Sequence, residues 1–205
     1  MKQLLLCALL FLSISKAYSQ TKIEKAIIEG FFTSFLDQCS IDSIVDPDSF
    51  TRQYCLEIEK SGIVLFEKSE KQLFEYSTDS LSNLKENGLS LIDSIIHNDY
   101  FEKNKKSIDF DSIIFKGEIA QTTSTSEFKK AEKKSNEALR KKYGAKTVVQ
   151  ISRPGINTNK DIALLSITFT HVDFGVVTNY YVLVKEDHVW DIKQSMLLFV
   201  GVYVD

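Results

Sequence analysis

The last third of the chain sets long β-forming runs end to end with connections too short to hold anything but a turn. That pattern constrains the fold more than any other feature. Residues 176–185 (VVTNYYVLVK) and 189–200 (VWDIKQSMLLFV) are rich in β-branched and aromatic residues, and only Glu186, Asp187 and His188 separate them. A parallel pair needs a crossover of a dozen or more residues, so these runs must pair antiparallel. Ile162 to Thr170 comes just before them across residues 171–175 (HVDFG), and Thr147 to Ser152 leads into the turn signal Arg153-Pro154-Gly155. The result is a meander. Period-2 spacing puts Tyr180, Val182 and Val184 on one face and Val177, Tyr181 and Leu183 on the other, with Trp190 and Ile192 opposite Asp191 and Lys193.

Helical spacing dominates the first half. Thr21 and Glu24 fit a capping box, and Ile23, Ala26, Ile27, Gly30, Phe31, Ser34 and Phe35 follow the i, i+3, i+4, i+7 pattern of a wide apolar face, with an end near Cys39. Residues 50–106 read as mostly helical, with a strand open for 62–67, a stop at Asn87-Gly88 and Ser90 as the cap of a further helix. Residues 108–119 turn toward period 2 and predict a short strand, and QTTSTS predicts a loop. A polar helix follows from Ser126 to Gly144, with a thin stripe of Phe128, Ala131, Leu139 and Tyr143 that predicts a surface position. Helices first and a meander last predict an α+β fold, with N-terminal helices packed on a C-terminal antiparallel β-meander. The expected organisation is one domain over 20–205, mainly helical in 20–106 and mainly β with one surface helix in 107–205.

Residues 1–19 read as an export signal. Lys2 precedes the apolar run Leu4 to Leu12, and Ala17 and Ser19 suit a small-residue cleavage site that leaves Gln20 first. The run is far shorter than the roughly 20 residues of a spanning helix. A soluble, secreted or periplasmic chain without membrane insertion is therefore expected. Cys7 leaves with the signal. Cys39 and Cys55 then either form a bridge, worth about 3 kcal/mol for so short a loop, or stay as two small buried apolar groups.

Charge excludes a basic nucleic-acid binder: 25 Lys and Arg stand against 28 Asp and Glu, a net −3. The basic run Lys129, Lys130, Lys133, Lys134, Arg140, Lys141 and Lys142 is interleaved with Glu127, Glu132 and Glu137, which predicts a solvated helix face. No phosphate-loop, dinucleotide, zinc-protease, nucleophile-elbow or CxxC motif is present, so no cofactor and no metal are expected. Asp42, Asp46 and Asp48 lack the spacing of a calcium loop and read as turn and cap residues. Of the three histidines, His188 falls in a turn and His97 near the end of a helix. His171 and Asp173, two apart, are the one arrangement resembling an acid–base unit. Tyr180, Tyr181 and Trp190, on neighbouring strands, are the candidate lining of a ligand pocket.

The residues Ser152, Arg153, Pro154, Asn159, Lys160, Asp161, Ala163, Leu164, Tyr180, Tyr181, Leu183, Lys185, Glu186, Trp190 and Ile192 resemble a recurrent C-terminal ending of uncharacterised secreted bacterial proteins. That group often carries a Cys-Gly-rich hairpin where this chain has His171-Val172-Asp173-Phe174-Gly175. The resemblance implies an architecture and no activity. The order of elements is also similar to the nuclear transport factor 2-like fold, which implies a cone with a cavity. Three functions stay open. The first is a non-enzymatic module binding a small molecule or an envelope protein. The others are a hydrolase or isomerase built on His171 and Asp173, and a structural or interaction module.

Overall fold

The computed structural model describes residues 22–38, 63–66, 80–106, 119–144, 147–171, 173 and 175–201. Helix α1 covers residues 22–38, as its apolar spacing requires. Strand β1 (Ile63–Phe66) follows, then α2 (Leu81–Glu86) and α3 (Ser94–Asn104). Next come β2 (Ile119–Thr123), α4 (Thr125–Glu132) and α5 (Asn136–Tyr143). The chain closes with β3 (Thr147–Ile151), β4 (Gly155–Ile156), β5 (Ile162–His171), β6 (Gly175–Glu186) and β7 (Val189–Gly201). This is an α+β fold with a C-terminal meander, as the order of elements predicts.

All seven strands form one sheet in the order β2-β1-β3-β5-β6-β7, with β4 pairing β5. From β3 onward every pairing is antiparallel. At the other end the pairing is parallel: β1 runs in the same direction as β2 and β3. The chain leaves β2, crosses β1 through α4 and α5, and returns as β3, a crossover long enough for parallel pairing.

Opposite faces of the sheet carry different covers. Val149, Ile151, Leu165, Ile167, Tyr181, Leu183, Trp190 and Ile192 form one core with Ile27, Ile28, Phe31, Phe32 and Phe35 of α1. Phe31 meets the Tyr181 ring edge-on at 4.8 Å, and Phe35 stacks on Phe169 at 5.1 Å. The helix crosses the start of β7 at Gly30, where an added Cβ would lie 2.4 Å from Trp190 Cβ. On the other face Leu164, Tyr180 and Val182 pack against Leu84, Leu89, Ile92, Ile96 and Tyr100 of the α2–α3 layer. The α4–α5 pair covers the same face farther along, burying Phe128, Ala131, Leu139 and Tyr143 against Val64, Phe66 and Val148.

Four local expectations are corrected. The helix from Ser126 to Gly144 is two helices, because Ser135 Oγ accepts the Ala138 N–H and restarts the chain after Lys133-Lys134. The pair stays at the surface, with its thin stripe turned onto the sheet and its charged residues exposed. The predicted loop QTTSTS is strand as far as Thr123, held parallel to β1, and only Ser124 onward leads into α4. Ser90 caps nothing. Asp93 takes that role with Oδ1 accepting the Ile96 N–H at 2.8 Å, while Ser90 Oγ accepts from Gln194 Nε2. His97 therefore sits in the first turn of α3 rather than near its end. The Thr21 cap, the Cys39–Cys55 bridge, the Asp42, Asp46 and Asp48 group and most of the 108–119 strand lie outside the described residues.

Candidate functional site

His171 and Asp173 flank the turn between β5 and β6, but their arrangement is not that of an oriented base. His171 is 1% exposed, and its Nδ1 accepts the Asp173 backbone N–H at 3.1 Å. The proton of the neutral ring then sits on Nε2. Asp173 lies on the Nδ1 side, so to orient the ring its carboxylate would have to accept from Nδ1–H. Asp173 Oδ2 lies 3.9 Å from that nitrogen, and Oδ1 is held by Arg140 of α5 through Nε at 3.0 Å and through Nη2. The pair therefore ties the hairpin to α5. His188 is exposed in the β6–β7 turn.

The three aromatics are not brought together. Tyr180 faces α2 and α3, its ring 5.7 Å from Tyr100, while Tyr181 and Trp190 face α1 through the opposite side of the sheet. Burial pushes the Tyr181 phenol well above its usual value, against the opposing hydrogen bond from Asn179. All three side chains are core, so no one cavity is lined by them.

Charges gather where α1, α3 and the segment after β3 meet. Glu24, 2% exposed, accepts Arg153 Nη2 at 3.0 Å and Nε at 3.3 Å. Lys103 Nζ stands 3.6 Å from Glu24 Oε1, 2.6 Å from Asp99 Oδ2 and 3.1 Å from the Pro154 carbonyl. Asn104 closes the knot, with Oδ1 accepting the Arg153 N–H and Nδ2 donating to the Arg153 carbonyl. Glu24, expected as the capping-box partner of Thr21, thus gives its carboxylate to two cations. Each charge here has its counter-charge, as burial demands. Gly155 is required beside this knot, since a Cβ would lie 2.6 Å from the Ile96 carbonyl. The Ser-Arg-Pro-Gly stretch is a clasp between layers.

Among the described residues, one surface with an unmet chemical demand is the outer strand β7. Among the described strands β7 has a neighbour on one side only. Its first half is charged and tied down. Ser34 Oγ donates to Asp191 Oδ1 at 2.6 Å and accepts the Ile192 N–H, and Lys193 pairs with both Glu186 and Asp191 at 2.9 Å. The Ser34 hydroxyl, with Lys193 behind it, holds the Asp191 carboxyl below its ordinary range. Gln194 bridges to Ser90 and to the Leu91 N–H. From Ser195 to Gly201 no residue is charged, and Leu197 is 60% exposed, Phe199 and Val200 46% each. The β6–β7 register skips Lys193 and Leu198, two bulges that twist the strand. The alternation in the sequence points to strand here, but an edge is a property of the whole sheet, so no local signal marks it. Among the described residues no group of three or more His, Cys, Asp or Glu could hold a metal ion, and no helix is long and apolar enough to cross a membrane. No protein-family model, no curated protein and no solved structure matches this chain.

Proposed function

We propose that this chain is an exported binding module that holds a protein partner by strand addition along the second half of β7. One observation carries the reading: β7 has no second neighbour among the described strands, and its uncharged stretch from Ser195 to Gly201 exposes Leu197, Phe199 and Val200. Main-chain groups on such an edge give a partner strand its affinity, and the alternating side chains give its register. Edge strands are ordinarily blunted by charge or proline. In β7 charge is confined to the first half, and no proline is present. The burial of Tyr180, Tyr181 and Trp190 on opposite faces favours a protein partner over a small molecule. Export rests on the leader-like residues 1–19 and on the resemblance to secreted bacterial proteins. An intact mass beginning at Gln20 in the exported fraction is the expected result for that part.

The test places a photo-crosslinking residue at 197 or at 199 in the full chain, in cells that export it, with Thr158 in an exposed turn as control. A discrete crosslinked protein from 197 and 199 but not from 158, lost from 199 when Leu197→Lys is added, is expected. A product of twice the chain mass would make the partner a second copy. No product, or an equal yield from 158, overturns the reading.

A further inference from the structure

On a single helix over 126–143, glutamates would alternate with lysines around the surface. The break after Lys133-Lys134 sorts them instead. It folds α5 back on α4, so that Glu127 in the first turn of α4 lies 3.4 Å from Lys142 in the last turn of α5. An open groove runs between the helices, with Ala131 and Ala138 as its floor and Lys130, Lys134, Lys141 and Lys142 along its walls. Glu127 is the one carboxylate among the residues lining it, and Glu132 and Glu137 lie outside. Arg140 is turned away to Asp173. Among the described residues, only Lys142 of the four lysines has an ion pair.

Four ammonium groups around one concave strip repel one another, and a multiply charged anion lying in the strip relieves that repulsion. We propose that the α4–α5 groove binds an oligophosphate, a row of phosphate groups either free or carried on a larger molecule. Lysines without arginine are point charges that suit phosphate more than the planar fork geometry of a carboxylate. The nearby aromatics Phe128 and Tyr143 are buried in the core below, so no ring is free to stack a nucleobase. Ser124 Oγ and Ser135 Oγ accept one leading N–H of each helix, that of Glu127 at 3.2 Å and that of Ala138 at 3.1 Å. The lysine side chains supply the main attraction for the ligand, so salt should weaken binding strongly. This site is separate from the β7 edge and stands or falls without it.

Inorganic tripolyphosphate, titrated calorimetrically into the mature chain, tests the proposal. Binding at low salt that weakens at least about tenfold at physiological ionic strength is expected. Lys130→Gln with Lys141→Gln should weaken it by about tenfold or more. Lys129→Gln with Lys133→Gln removes the same charge outside the groove and should change it less than about twofold. All four side chains are exposed, so both variants should fold. No binding at low salt, or equal loss in the two variants, overturns the site. Cosedimentation with phosphatidylglycerol vesicles separates the sources of phosphate. Capture by vesicles without binding of tripolyphosphate would mark a flat membrane contact and also overturns the groove.

Discussion

Strands β6 and β7 are neighbours in one hairpin, built from similar residues, and they carry opposite burdens. In β6, Tyr180 and Val182 are buried under α2 and α3 while Tyr181 and Leu183 are buried under α1. In β7 only Trp190 and Ile192 reach the same depth, and Leu197, Phe199 and Val200 stay open. A strand's apolar content therefore does not decide its role. Its place in the sheet does, because a central strand has a layer on each face and a neighbour on each side, whereas an outer strand keeps one row of backbone groups unpaired.

The largest expected effect lies in the core that β6 shares with α1 and the start of β7. Truncating Phe31, Tyr180 or Trp190 to Ala should each cost about 3–5 kcal/mol in urea unfolding, since each leaves a cavity among packed rings. Glu24→Ala comes next, at about 2–4 kcal/mol, because Arg153 and Lys103 lose the carboxylate that both face. Gly30→Ala should cost about 1–3 kcal/mol, as α1 has to rise from β7 to admit the new methyl group. A thermal melt would show it directly, and an unchanged melting point would mean the helix shifts freely.

The charged half of β7 should respond to pH, and only slightly. The folded state lowers the Asp191 pKa, so its contribution is present above the unfolded carboxyl value of about 4 and fades as pH falls through the lower folded value. With the side chain 44% exposed, the effect should stay under about 1 kcal/mol. The stability gap between the natural chain and Asp191→Asn should close as pH drops below 4. A gap independent of pH would mean the Ser34 bond, not the charge, matters. Smallest in stability should be Leu197→Lys and Phe199→Lys, within about 0.5 kcal/mol. Those same changes should remove the crosslinks, which separates an edge kept for binding from one kept for folding.

The parts legible in the sequence were those fixed by local period and local turns. The α1 stripe, the Asn87-Gly88 stop, Gly144 after α5 and the β6–β7 hairpin all follow from neighbours a few residues apart. The missed parts needed distant partners. Thr122 and Thr123 are strand because Leu65 and Phe66 of β1 lie beside them, 57 residues earlier in the chain. The stripe of Phe128 and Leu139 could be read locally, but that it meets Val64 and Val148 could not.

The candidate site divides along the same line. His171 and Asp173 were found by spacing, yet spacing could not say that the Asp173 backbone, not its carboxylate, reaches the ring. Tyr180 and Tyr181 alternate by necessity, so the sequence alone determined that they face apart. Only the tertiary structure decided that both faces are covered, that Glu24 binds Arg153 across 129 residues, and that β7 ends the described sheet. The physical reason is range. Backbone sterics and side-chain period act within a turn or a pleat, whereas burial and edge exposure are set by whichever distant segments pack alongside.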